Sequence, residues 1–284
     1  IFVTTNSAKK SDTVTINYTN KFSWDTPTIL PNYPDVATQA RALRAANTRA
    51  NLENELFGMY MDDNFIAKAE AWKQRHGGKK ARYREMIPGD DFDLGEDGSA
   101  LYYADWDVVG IMFRDWKPAQ SHNISIQGTS GKTSYFLSVG YNHEEGVMTF
   151  NPDKLNKYNA NMNVTSDITN WLQIGGRFSY SDKAYTTPNT RRNTYTYMWR
   201  WGSFFGPYGT YQGIDMKNDI AYLKQAGDDK TNDSYTRIGA FLKATIIKGL
   251  TLNADYTFNI NNKTTKSVGL PVICWNSWGG KLNT

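Results

Sequence analysis

The sequence has no long apolar run and only one cysteine. No apolar stretch approaches the roughly 18–20 residues of a membrane-spanning helix, which excludes a helical membrane protein. The single cysteine, Cys274, excludes a disulfide within the chain and a metal site built from cysteines. The net charge of +4 over 284 residues is small, and no basic stripe of the kind that nucleic-acid binding requires is present.

Aromatic residues, by contrast, are abundant. They make up 14% of the chain, with 18 tyrosines and 9 tryptophans. Tyrosine and tryptophan join an apolar body to a polar tip, and they suit a membrane interface, a sugar-binding surface or ordinary sheet packing. Only 39% of the residues are apolar. A β-barrel is compatible with that value, because only alternate residues of a barrel strand face lipid.

Seven segments alternate apolar and polar residues, a pattern that predicts β-strands with one apolar face. The alternating segments are 13–24, 123–127, 135–142, 158–164, 172–180, 237–246 and 250–260. The apolar face carries almost no charge, whereas the other face carries Lys21, Arg177, Arg237, Lys243 and Asp255. We therefore predict an all-β fold made of antiparallel strands of about ten residues.

The predicted connections alternate between long and short. The long ones are 25–120, 143–156, 181–233 and 261–284, and the short ones are 128–132, 165–170 and 247–249. Transmembrane β-barrels show this asymmetry, with tight turns at the periplasmic end and long outer loops. Residues 36–57 and 65–75 predict a helical insertion in the first outer loop, because they are rich in alanine and charged residues and lack glycine and proline.

The strand pattern leaves two alternatives open beside a barrel transporter. A soluble antiparallel sandwich gives the same alternation but has no reason to place its long loops at one end. A passive porin fits the loops and the strands. Seven strands are an odd number, so a barrel needs further strands from elsewhere. The sequence begins at Ile1 in strand-like residues without an initiator methionine, and we expect a fragment or a processed piece.

Several short motifs carry a resemblance to one family. Residues 1–5 read IFVTT, residues 121–128 read SHNISIQG, residues 133–141 read TSYFLSVGY, and residues 144–146 read EEG. In this order they resemble the SusC/RagA family of TonB-dependent outer-membrane transporters. Asn6 stands where that family usually has lysine. The likeness extends over most of 1–24 and 115–180 and weakly over 234–262.

The resemblance implies an architecture and partners that the residues alone do not. It implies a transmembrane barrel of 22 strands whose lumen is closed by a plug. Residues 1–12 would then be the end of the plug and a linker, and residues 13–284 the N-terminal part of the barrel. It also implies import of oligosaccharides or peptides across the bacterial outer membrane with a SusD-like surface lipoprotein. Energy would come from TonB, through a segment absent from this sequence.

Candidate contact residues lie mainly in the third long loop. It concentrates aromatic residues, and a loop of that apolarity must bury against its own barrel mouth or contact substrate or the lipoprotein. The candidates are Trp199, Trp201, Phe204, Phe205, Tyr208 and Tyr211, with Trp275 and Trp278 in the last loop. On the polar face we expect lumen-facing side chains that line the path or hold the plug: Asn159, Asn161, Asn163, Arg177, Arg237 and Asp255.

Catalytic and metal sites find little support. The three histidines, His76, His122 and His143, form no arrangement with serine and aspartate that predicts an enzyme. The acidic residues Asp91, Asp93 and Asp97 faintly resemble a calcium loop but lack EF-hand spacing, which makes a solvated loop the better interpretation. We expect neither catalysis nor a cofactor.

Overall fold

The computed structural model describes residues 13–56, 59–201, 206–276 and 281–283. Its main element is one antiparallel sheet of seven strands. In chain order these are β1 (Thr15–Asp25), β2 (Lys117–Ser130), β3 (Thr133–Glu145), β4 (Lys154–Asp167), β5 (Leu172–Pro188), β6 (Asp228–Ile247) and β7 (Leu250–Ser267). Each strand pairs with its neighbour in sequence, so the sheet is a simple meander. The prediction of seven antiparallel strands is confirmed.

The strand register separates the two faces of the sheet. One row of directly paired residues crosses all seven strands and is apolar throughout: Ile16, Ile126, Leu137, Met162, Phe178, Ile238 and Phe258. The adjacent row points to the opposite side and is polar throughout: Asn17, Ser125, Ser138, Asn161, Ser179, Arg237 and Asn259. We call the two sides the apolar face and the polar face. A barrel wall between lipid and a water-filled lumen has this arrangement.

The apolar belt also shifts steadily across the sheet. On β1 the apolar residues extend to Trp24, but on β7 they end at Ile260, which lies in the same row as Tyr18. The shift is therefore about one residue per strand. With a rise of ~3.3 Å per residue and ~4.8 Å between strands, strands must tilt by about 35° to keep the belt level, which is the tilt of barrel strands.

Aromatic rings border this belt near the long connections. The ring of His122 lies 6.2 Å from Tyr18 and 6.4 Å from Tyr141, and Tyr141 lies 5.1 Å from Tyr158. The hydroxyl of Tyr18 is 2.8 Å from Nδ1 of His122. These four side chains lie on neighbouring strands of the apolar face, where amphipathic rings suit the boundary between lipid and water.

The asymmetry of the connections is confirmed, with corrected bounds. The tight turns are 131–132, 168–171 and 248–249, and the long connections between strands are 26–116, 146–153 and 189–227. Each long connection is shorter than predicted because the strands continue past the apolar belt, where alternation no longer marks them. They have 11 to 20 residues instead of about ten. Glycines with positive φ, Gly131 and Gly249, form the two-residue turns.

The long connections fold into a compact unit at one end of the sheet, which we call the outer cap (26–116, 146–153, 189–227 and 268–283 within the described residues). It contains α1 (Val36–Arg49), α2 (Asp63–Arg75), α3 (Val108–Met112), α4 (Arg191–Trp201) and α5 (Asp219–Gln225). Three short ribbons pair Glu55–Leu56 with Met59–Tyr60, Phe92–Leu94 with Ala100–Tyr102, and Thr210–Tyr211 with Ile214–Asp215. None of the described helices has the length and apolarity needed to cross a membrane.

The predicted helices form, with one corrected end. The Asp35 carboxylate accepts a hydrogen bond from the Thr38 N–H at 2.9 Å and begins α1. The helix ends at Arg49 and not at 57, because Asn51 adopts a left-handed conformation (φ 58°) that closes the helix. Helix α2 begins at Asp63, two residues earlier than predicted.

The buried core lies in the outer cap and not in the sheet. Its largest fully buried side chains include Trp72, Trp106, Phe65 and Phe92. Large apolar side chains on the sheet remain exposed, for example Tyr256 at 73%. The other sheets of the described residues have two strands each, so these residues by themselves do not form the sandwich that was the alternative. The sheet is the wall of a partial β-barrel.

Candidate functional site

The polar face of the sheet is the first part of the candidate site. All six predicted lumen-facing residues project from this face: Asn159, Asn161, Asn163, Arg177, Arg237 and Asp255. Most of their neighbours are serine, threonine, asparagine or glutamine. These uncharged side chains form hydrogen bonds with water or with a polar ligand. This part of the chain therefore presents a hydrophilic wall suited to a water-filled path.

Arg177 contacts two side chains on this wall, Asp255 and Phe241. Its Nη1 donates to Oδ2 of Asp255 at 2.8 Å, across the intervening strand β6. The residue of β6 that pairs directly with Arg177 is Gly239. Because it has no side chain, the arginine side chain can extend across β6 to β7. The guanidinium also lies 4.6 Å from the ring centroid of Phe241, a cation–π distance. This cluster crosses three strands, and it braces the wall while leaving a charged surface.

A glycine on β5 makes room for that ring. A Cβ on Gly175 would lie 2.3 Å from Cε1 of Phe241, far inside a normal contact. The adjacent Gly176 points to the apolar face, where the nearest atom to its Cβ would be 3.9 Å away. Gly175 is therefore required by the packing of Phe241 against the wall, and the sequence pattern gave no sign of this requirement.

The outer cap is the second part, and it holds those predicted aromatic contact residues that the structure describes. Phe204, Phe205 and Trp278 lie outside the described residues, as do the side chains of Trp199 and Trp201. Tyr208 is buried, at 2% exposure. Tyr211 packs edge-on against Phe92 at 5.3 Å, and Nε1 of Trp275 donates to the Tyr211 carbonyl at 2.7 Å. Tyr208, Tyr211 and Trp275 therefore pack within the cap. Of the two outcomes that the sequence allowed for these residues, this is burial within the protein and not contact with substrate or a partner.

Exposed aromatic side chains of the same loop lie on α4. Its inner face buries Thr194 and Met198, while Tyr195 and Tyr197 are 48% and 42% exposed. Arg191 and Arg192 are exposed on the same helix. The outer surface of α4 thus combines tyrosines with arginines, residue types that recur in protein interfaces.

Asp91 is the structural centre of the cap, and the expectation that it lies in a solvated loop is wrong. It is 0% exposed. Its carboxylate accepts two bonds from Arg84, at 2.6 and 2.7 Å, one from the Trp72 Nε1–H at 3.0 Å and one from the Ile87 N–H at 2.8 Å. Burial alone would raise the pKa of Asp91, but these bonds outweigh it and hold the pKa below its ordinary value.

The three acidic residues of the weak calcium prediction do not converge. Asp93 pairs with Lys68 at 2.7 Å, and Asp97 accepts from Ser99 at 2.7 Å. Among the described residues, the one group of three potential ligand atoms within 4.8 Å comes from His76, Asp90 and Asp91. Each of these side chains already bonds to protein groups, since His76 lies 2.9 Å from Asp90 and Asp91 binds Arg84.

The remaining histidines also have local partners. His76 follows the last residue of α2 as its C-cap, stacks on Trp72 at 4.1 Å and is half-buried. Nδ1 of His143 is 2.8 Å from Oδ1 of Asn156. His122 belongs to the aromatic border described above. No two of the three histidines lie in one cluster within the described part of the chain, and each has a structural explanation.

Fold and site together define a β-barrel wall with one polar face and a folded cap at one end. Among the solved structures that resemble the chain are three of RagAB, a peptide importer. The RagAB peptide importer in its open-open state matches with a TM-score of 0.57 and 18% identity, covering 91% of this chain and 29% of that one. Another structure of the RagAB peptide transporter gives a TM-score of 0.58 at 18% identity with the same coverage.

A third match has the same character. The closed-closed state of the RagAB peptide importer gives a TM-score of 0.55 and 19% identity, covering 93% of this chain and 30% of that one. The predicted resemblance to SusC/RagA transporters is thus confirmed for the fold. The chain spans about three-tenths of the length of these structures. No family model and no curated protein matches the sequence.

Proposed function

We propose that this chain is the N-terminal part of the barrel of a TonB-dependent importer in a bacterial outer membrane. The observation that carries the proposal is the sheet with one apolar row and one polar row across seven strands. A wall between lipid and water needs both rows, and the described residues place no second sheet over the apolar row. Residues 1–12, which lie outside the described part, would be the end of the plug and a linker.

The free edges of the sheet support further barrel strands. Within the described residues, β1 pairs only with β2, and β7 pairs only with β6. Each unpaired backbone group that faces lipid costs several kcal/mol. A sheet of seven strands with two unpaired edges is therefore not stable inside a membrane. We propose that the rest of a 22-stranded barrel pairs with both edges.

The proposed substrates are peptides or oligosaccharides, and peptides come first because the similar solved structures are peptide importers. A SusD-like lipoprotein would cover the outer cap. The proposed contacts with this partner or with substrate are Trp199, Trp201, Phe204, Phe205 and Trp278, with Tyr211, Trp275 and the buried Tyr208 holding the cap in shape. No covalent chemistry is proposed.

The test uses the whole protein in cells with and without functional TonB. A defined mixture of synthetic 12-residue peptides is supplied, and uptake is followed by mass spectrometry. Uptake that requires TonB supports an active importer, whereas equal uptake in both strains indicates the passive porin. Purification in mild detergent tests the partner, because a lipoprotein should co-purify with the barrel. A protein recovered without detergent would contradict the proposal.

A further inference from the structure

The register brings together charges that are far apart in the sequence. Lys157 on β4 pairs with Lys183 on β5, Lys183 pairs with Asp233 on β6, and Asp233 pairs with Lys263 on β7. The four residues form one continuous row on the polar face. We call these residues the lysine row. Lys21 lies on β1 in the same row, separated from Lys157 by two uncharged residues.

The row carries an excess of positive charge. Three lysines and one aspartate give a net charge of +2. Lys157 and Lys183 are directly opposite each other, an arrangement of like charges that destabilises a sheet. Among the residues that the structure describes, the three lysines make no ion pair, and all three side chains are exposed. The row therefore carries more positive charge than its single carboxylate, Asp233, can neutralise.

The position of the row places it at the outer mouth of the barrel. Lys183 lies three residues beyond Tyr180, the last large apolar side chain of β5 on the apolar face. Lys263 likewise lies three residues beyond Ile260 on β7. Both steps lead away from the tight turns and toward the outer cap. The lysines thus lie at the outer edge of the belt, below the cap and facing the lumen.

We propose that the lysine row binds the carboxylates of acidic peptides as they enter the lumen. The proposal rests on the import function proposed above and names its substrate class. Strands lie ~4.8 Å apart, so Lys157 and Lys263 are separated by about 14 Å across the wall, enough for two carboxylates of an extended peptide. Charged rings of lysine select anions in pores, and a low-dielectric wall strengthens their field.

The matched controls come from the other face of the same strands. Lys154 on β4, Lys230 on β6 and Lys266 on β7 point to the apolar side, since each is an odd number of residues from its counterpart in the row. A triple change of Lys157, Lys183 and Lys263 to glutamine is compared with the same change at these three positions. Both variants lose three positive charges at the outer end of the barrel, but only the first alters the lumen.

The experiment measures binding by the purified full-length complex with two 12-residue peptides, one with four glutamates and one with glutamines in their places. For the lysine-row variant we expect about tenfold weaker binding of the acidic peptide and less than a twofold change for the other. The acidic peptide should also lose affinity in higher salt. The control variant should bind both peptides as the unaltered protein does.

The other outcomes each overturn the proposal. If the lysine-row variant binds both peptides equally poorly and its plug becomes more protease-sensitive, the row neutralises the plug. If a short oligouronide binds through the row and the acidic peptide does not, the ligand is a glycan. If the variant discriminates between the peptides as the unaltered protein does, the row has no part in selection, while import itself stands. If the unaltered protein binds neither peptide, peptide import fails as well.

Discussion

Replacing Asp91 with alanine should loosen the outer cap while leaving the barrel wall intact. The change removes a carboxylate that is 0% exposed and holds Arg84, Trp72 and the Ile87 N–H. Breaking a buried ion pair costs roughly 3–5 kcal/mol, and we take the lower end, ~3 kcal/mol, because Arg84 is itself 33% exposed and regains water. The indole N–H of Trp72 loses its acceptor and contributes part of this cost.

Hydrogen exchange of the full-length protein in detergent measures this effect locally. A loss of ~3 kcal/mol corresponds to roughly 100-fold faster exchange of amides in α2. Amides in the middle of β4 should not change. Glu96→Ala, in the same acidic segment but at an exposed position, is the control and should exchange as the unaltered protein does. Acceleration below about fivefold in α2 would refute the role given to Asp91.

The same carboxylate gives the cap a pH dependence. The pKa of Asp91 in the folded cap lies below its ordinary value, because the bonds to its carboxylate outweigh burial. Ionised Asp91 therefore stabilises the cap at every pH above about 4, and this contribution is lost as the pH falls through the folded pKa. In Asp91→Asn, the stability of the cap should fall less as the pH is lowered into the acid range. Unfolding of the cap is followed by near-ultraviolet circular dichroism, and the same loss of stability at acid pH in both proteins would contradict this.

Two further predictions test the wall. Gly175→Ala should displace the ring of Phe241 and lower barrel stability by about 1–3 kcal/mol in urea titrations, whereas Gly176→Ala should have little effect, and equal effects would exclude the packing described here. Met162→Arg, on the apolar face, should cost roughly 2–4 kcal/mol in refolding into lipid vesicles. Asn161→Arg, one residue away on the polar face, should be tolerated, and the reverse order would mean that the faces are assigned the wrong way round.

The barrel wall was predictable because its signal is local. In a strand, side chains alternate between faces, so residues such as Leu137, Val139 and Tyr141 reveal their common side from the sequence alone. Turn residues with positive φ, such as Gly131, mark the tight ends equally locally. The strand ends were predicted less well, since beyond the belt both faces are wet and alternation disappears. The strand β5 continues to Pro188 for this reason.

The outer cap was predictable only in part. The composition of the helices predicts them, but their packing partners come from distant segments. Trp72 bonds to Asp91, which is 19 residues away in the sequence, and Tyr83 bonds to Asp215, which is 132 residues away. An acidic residue in an acidic segment looks solvated in sequence, because nothing local shows that Arg84 and an indole will enclose it. The aromatic loop posed the same difficulty, and burial of Tyr208 depends on contacts that only the folded cap supplies.

The sequence by itself determined that the chain forms a meander with one apolar and one polar face and with its long connections at one end, since each depends on neighbours along the chain. Tertiary structure decided which residues stand side by side across the strands. Lys157, Lys183 and Lys263 are separated by 26 and 80 residues, and only the hydrogen-bonded register, fixed by all seven strands together, places them in one row.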